Sequence, residues 1–169
     1  MSSWAVGVAY ARMLHIHERH ADLLKIATLS DFCGTRWQVN SVMIPTPSGR
    51  SYLLPVAHVM RLYKRHGGEQ ATSVLACPEG LDVTSSRSGP KLFLHVVNTR
   101  REQSITARLE VQNFSIASGR CFEIAADPQL EVLESCSDVL GVTETKLSGG
   151  EWTFPAASVS AIELDLLAL

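Results

Sequence analysis

No stretch of this chain approaches the roughly 20 consecutive apolar residues that a membrane-spanning helix needs. The apolar stretch from Trp4 to Leu14 is broken by Arg12. It has no basic segment ahead of it and no small-residue cleavage site behind it, so it does not read as a secretory leader. An excess of charge is missing too: 15 Lys and Arg stand against 17 Asp and Glu, for a net charge of −2. Without a basic field, neither nucleic acid nor an anionic lipid surface is an expected partner. The four cysteines, Cys33, Cys77, Cys121 and Cys136, form no CxxC pair. That spacing argues against a zinc or redox centre and for reduced, buried thiols. These absences lead us to expect a cytoplasmic style of protein with no metal, no cofactor and no membrane partner.

What is present is enough apolar material for a core: 46% apolar and 19% charged residues over 169 positions, which excludes global disorder. Two halves meet near Arg65-His66-Gly67-Gly68. In the first, Trp4, Val8, Ala11 and Leu14 recur at helical spacing behind a Ser2 or Ser3 cap. This first helix is apolar on most faces, which predicts burial on more than one side. A second helix is expected over 21–30, with Leu23, Leu24 and Ala27 inward. A strand over 38–44 should end at Pro45-Thr46-Pro47-Ser48-Gly49, and a third helix should follow over 51–66.

After Gly68 the period becomes two. Strands are predicted over 72–77, 81–85, 91–98, 105–111, 120–126, 151–154 and 158–166, separated by turn clusters such as Ser86-Arg87-Ser88-Gly89-Pro90 and Ser118-Gly119. Helix, strand and helix followed by all-β is the order of a barrel's end running into an appended sandwich.

Several segments, in order, carry a family resemblance. They are Arg19-His20-Ala21-Asp22-Leu23-Leu24-Lys25-Ile26-Ala27, Val39-Asn40, Pro55-Val56-Ala57-His58-Val59-Met60-Arg61-Leu62-Tyr63, Leu94-His95-Val96-Val97-Asn98 and Phe154-Pro155-Ala156-Ala157-Ser158-Val159. Together the series resembles the C-terminal region of α-L-arabinofuranosidase-type glycoside hydrolases. The resemblance implies an α+β chain: residues 1–66 as the end of a (β/α)8 barrel, and 67–169 as an antiparallel, jelly-roll-like β-sandwich. It implies a parent enzyme that hydrolyses arabinofuranosyl-containing saccharides with retention. Such an enzyme uses a Glu nucleophile and a Glu acid/base about 5 Å apart. In the family these lie at the ends of the fourth and seventh barrel strands, ahead of this segment. The chain is therefore expected to hold no catalytic residue and to be structural, with carbohydrate met through the parent enzyme. Near the eighth strand, Trp37 could stack on a sugar, and Gln38 or Asn40 could supply a polar substrate contact.

Other constellations read as structural. Glu18 and Asp22, four apart, are expected to offset Arg19 and Lys25 on a solvated helix face rather than form a catalytic pair. His15, His17 and His20 lack an HExxH pattern and read as surface or capping residues. Cys33 has no base partner at a recognisable spacing and reads as buried. Asn113-Phe114-Ser115 matches a glycosylation sequon, which matters only in a secretory setting. An isolated barrel end would leave strand edges and an apolar helix uncovered, so a homo-oligomer formed through the N-terminal half is expected. The rival reading is a stand-alone β-sandwich that binds carbohydrate or another protein. Such a module would cluster exposed aromatics on one face, whereas Phe93, Phe114, Phe122, Trp152 and Phe154 fit inward positions.

Overall fold

The computed structural model describes residues 2–29, 32–35, 40–147 and 150–169. Helix α1 spans Trp4–Arg19, and Ser3 precedes it in an extended conformation. Three two-residue strands follow: β1 (Cys33–Gly34), β2 (Val42–Met43) and β3 (Tyr52–Leu53). Strand β1 pairs parallel to β2, and β2 antiparallel to β3. Helix α2, Pro55–Arg65, starts with proline at its first turn, where the missing N–H costs nothing. The remaining strands are β4 (Gln70–Thr72), β5 (Leu81–Ser88), β6 (Lys91–Asn98), β7 (Ile105–Arg108), β8 (Phe114–Ala125), β9 (Thr143–Lys146), β10 (Glu151–Phe154) and β11 (Ser158–Ala168). Six form an antiparallel sheet in the order β4-β5-β6-β11-β8-β9, while β7 and β10 form a separate antiparallel pair.

The period of two places the core on both faces of the large sheet. On one face Val97, Phe122, Ile124, Val159 and Ala161 pack with Trp4 and Ala11 of α1 and Val59, Leu62 and Tyr63 of α2. On the other, Leu92, Val96, Cys121, Ile162 and Leu164 pack with Ala107 and Phe154 of the β7–β10 pair. Trp4 is wholly buried, and its indole N–H donates to the Ala157 carbonyl at 2.6 Å. Gly7 lies beneath it, and a Cβ there would meet the Trp4 ring at 2.8 Å.

The chain is thus mixed α and β, dominated by antiparallel sheets. Several expectations need correction. Of the helix expected over 21–30, the described residues 21–29 form none: a turn covers 20–23, and 24–29 have no regular structure. Leu23 and Ile26 are each 79% exposed, and a short amphipathic helix without a surface to bury against is marginal in water. Of the strand expected over 38–44, only Val42–Met43 is a strand among the described residues; 36–39 lie outside them. The third helix begins at Pro55 because Tyr52–Leu53 pairs with β2. Strand β4 stops at Thr72. Residues 73–78 continue as an exposed strap instead of pairing with β5.

Ser118-Gly119 is no turn but the middle of β8, beside a register shift that skips Ala117. Gly119 is there for closeness, since a Cβ would meet Leu147 and Leu164 at 2.8 Å. Strand β9, with every residue exposed, carries no hydrophobic alternation and escaped the sequence reading. Cys33 and Cys77 are exposed rather than buried, because β1 ends a three-stranded sheet and Cys77 sits on the strap. Cys121 does fill the core, where burial pushes its thiol up to about 12.

Candidate functional site

A polar cluster lies where α1 and α2 cross the helix-facing side of the large sheet. Along β6 the inward phase runs through His95 between Phe93 and Val97, so an imidazole takes a core position. Glu18, at the end of α1, accepts from His95 Nδ1 at 2.8 Å and from the Thr84 hydroxyl at 2.5 Å. The other His95 nitrogen, Nε2, faces the His66 carbonyl at the end of α2, 2.9 Å away. A carbonyl can only accept, so Nε2 donates to it, and the ring ties the end of α2 to Glu18 on α1.

One turn earlier on α1, His15 is fully buried. Its Nδ1 lies 3.1 Å from Asp82 and its Nε2 2.7 Å from the Tyr63 hydroxyl. Burial holds the His15 pKa below the usual histidine value, despite the Asp82 and Glu18 charges that oppose it. The neutral ring therefore donates from Nδ1 to Asp82 and accepts from Tyr63. Tyr63 stacks on His95 with ring centroids 3.8 Å apart. Burial pushes its hydroxyl well above the ordinary tyrosine value. Asp82 also receives Arg19, and Arg12 at 3.4 Å, while Arg19 donates to the Val83 carbonyl. Burial raises Asp82 and Glu18, but their hydrogen-bond partners outweigh it and hold both carboxyls below the usual range.

The order tyrosine, histidine, aspartate has the form of a nucleophile with its base and orienting group. It cannot act as one here. Tyr63 is 6% exposed and holds its proton, and each carboxylate is committed as an acceptor. What the cluster does is pin the C-terminal halves of α1 and α2 to β5 and β6. A second bridge continues it: His66 Nδ1 lies 2.8 Å from Glu163 on β11, and Arg120 on β8 donates to Glu163 at 2.8 Å. Beside the cluster, the strap diverges from β5 and leaves a groove of about 820 Å3, walled by Arg12 and Arg19 on one side.

Sequence reasoning placed Glu18 on a solvated face and His15 at the surface. Both are corrected: helix α1 turns Trp4, Gly7, Ala11 and His15 inward, and Glu18 follows on the same side. The missed partners, His95, Asp82, Tyr63 and Glu163, had one visible signal: His95 and Glu163 are polar residues on the inward phase of apolar strands. Of the residues proposed to touch substrate, Trp37 and Gln38 lie outside the described residues. Asn40 is described and is 3% exposed, packed against Gly34, with its Nδ2 3.9 Å from the Met43 sulfur. Among the described residues no three His, Cys, Asp or Glu side chains converge as a metal site. No helix among them is long and apolar enough to cross a membrane.

A helical pair lies on a six-stranded antiparallel sheet, with a second small antiparallel sheet behind it. The family model for the alpha-L-arabinofuranosidase C-terminal domain matches residues 1–158, and the chain belongs to that family. Solved structures agree in fold. The GH51 alpha-L-arabinofuranosidase of Thermotoga petrophila superimposes with a TM-score of 0.79 at 21% identity, covering 93% of this chain and 37% of that one. The alpha-L-arabinofuranosidase of Thermotoga maritima, solved with arabinose, gives 0.80 at 20% identity, covering 99% and 39%. A glycoside hydrolase family 30 xylanase from Clostridium acetobutylicum gives 0.66 at 13% identity, covering 98% and 40%. The chain therefore spans about two-fifths of the length of these enzymes. A comparison with curated protein sequences finds no match.

Proposed function

We propose that this chain is the C-terminal portion of a glycoside hydrolase acting on arabinofuranosyl-containing oligosaccharides or polysaccharides, and that its own part is structural. The observation that carries this is the family match over residues 1–158, which includes the helical segment as well as the sheets. On this reading residues 1–66 close a (β/α)8 barrel and 67–169 form the sandwich that braces it. The parallel pairing of β1 with β2, within a segment that also holds α1 and α2, supports the barrel assignment. So does the exposure of the apolar Leu23, Ile26 and Phe32. Barrel strands and their helices bury such surface against neighbouring units.

Trp37, Gln38 and Asn40 would then approach the mouth of the barrel, with Asn40 holding the β1–β2 corner from beneath. A stand-alone binding module is the weaker reading, because the family match does not stop at the sandwich. The uncovered N-terminal half, left to itself, favours a homo-oligomer. Four free thiols suit a reducing compartment such as the cytoplasm. The test is turnover. The isolated chain should not hydrolyse 4-nitrophenyl α-L-arabinofuranoside above background, since the retaining mechanism needs two free carboxyls facing one sugar. Turnover abolished by Glu18→Gln or Asp22→Asn would overturn the proposal.

A further inference from the structure

Beside the cluster, β4 and β5 pair only from Gln70 to Thr72, and the strap then stands away from Leu81 to Thr84. The opening is not a vacant sheet edge awaiting a strand. The Leu81 amide donates to the Pro78 carbonyl, the Cys77 thiol donates to the Leu81 carbonyl, and Arg19 takes the Val83 carbonyl. With the edge blunted in this way, what remains is a groove of about 820 Å3. That is within the range of small-molecule sites, roughly 300–1,000 Å3.

Its lining is chemically specific. Thr72, Thr84, Ser85 and Thr99 already donate their hydroxyl hydrogens to protein acceptors and offer only lone pairs to a ligand, Ser73 adds a hydroxyl on the exposed strap, and no aromatic ring lies among the lining residues. Arg12 and Arg19 stand two helical turns apart on one wall. Arg12 uses only its Nε on Asp82, and Arg19 only one terminal nitrogen on protein acceptors. The other guanidinium nitrogens have no acceptor among the described residues, and the two side chains are 57% and 44% exposed. An arginine with both terminal nitrogens open offers the fork that a carboxylate accepts in two parallel bonds.

We propose that this groove binds a carboxylate-bearing saccharide, a uronic acid within an oligosaccharide. The carboxylate sits on Arg12 and Arg19, and the ring hydroxyls sit against the hydroxyls of β5 and the strap. Without an aromatic platform, recognition comes from charge-assisted hydrogen bonds rather than stacking. The saccharide part rests on the glycoside hydrolase reading above. The carboxylate part rests on the groove alone.

The test is a two-dimensional NMR titration of the whole chain with three probes. One is a neutral pentose trisaccharide bearing a single glucuronic acid. The second is the same molecule with glucose in place of the uronic acid, and the third is inorganic phosphate. The expected result is that the acidic probe shifts the Arg12 side-chain resonance and the amides of residues 73–77, and binds at least about tenfold more tightly than the other two. Arg12→Gln should weaken it by a similar factor, while Arg12→Lys retains part of the binding. Equal binding of the neutral probe overturns the carboxylate assignment, and equal binding of phosphate overturns the saccharide assignment. Unchanged binding by Arg12→Gln overturns the site. Should Arg12→Gln melt early, Ser73→Val on the exposed strap replaces it, with severalfold weaker binding expected and none lost counting against the site. Failure here leaves the turnover test of the proposed function untouched, since that test uses a neutral arabinofuranoside and does not involve Arg12.

Discussion

Glu18 shows how one carboxylate couples three elements. It takes hydrogen bonds from β6 through His95 and from β5 through Thr84, while sitting on α1. Glu18→Gln keeps the shape but removes the carboxylate charge from the bonds to His95 and Thr84, and should cost about 1–3 kcal/mol in urea unfolding at neutral pH. The pH dependence has a definite sign. Glu18 and Asp82 have carboxyls held below their unfolded values. Their stabilisation is therefore complete above the ordinary carboxylate range and is lost as pH falls through the folded values. His15, held below the usual histidine value, adds to the same limb, because the unfolded chain takes up that proton first. Stability should thus decline from just below neutral pH into acid, and Glu18→Gln should flatten the lower part of that decline. A melting profile in which the variant and the parent chain run parallel from pH 7 to pH 3 would contradict this. None of it was legible from spacing, because the pairs are 63 to 77 residues apart in sequence. What the sequence did carry was a polar residue at an inward strand position, a warning that something buried must satisfy it.

At the scale of elements, strands β6 and β10 match their expected ranges of 91–98 and 151–154, because strand-forming residues there are bounded by turn chemistry. Errors fell where a local rule met a tertiary one. Ser118-Gly119 has turn composition, yet β8 runs through it because Leu147 and Leu164 need the space a side chain would fill. Gly119→Ala should therefore destabilise by about 1–3 kcal/mol, measurable as a lower urea midpoint with an unchanged slope. Residues 21–29 have helical composition but no surface to bury against, so the helix does not form. That segment should be the first cut in limited proteolysis, with trypsin acting after the exposed Lys25 before any site in β5, β6 or β8. Early cleavage within the large sheet instead would show that the helical half holds the sheet less firmly than the buried cluster implies.

For the whole molecule, the family was readable because five short segments recur in order, though each is loose alone. The substrate contacts expected at Trp37, Gln38 and Asn40 stay an expectation: Trp37 and Gln38 lie outside the described residues, and Asn40 is buried. On the proposed reading, an apolar surface lies without its cover: Leu23, Ile26, Phe32 and Ile44, with Met13 and Ile16 on α1. A monomer seldom tolerates a contiguous patch beyond a few hundred Å2. Sedimentation equilibrium of the intact chain at micromolar concentration reads this directly. The account predicts concentration-dependent self-association, reversed when Leu23 and Ile26 are both replaced by Ser. A compact monomer across the whole concentration range, unchanged by those substitutions, would contradict it and return the chain to a self-contained module.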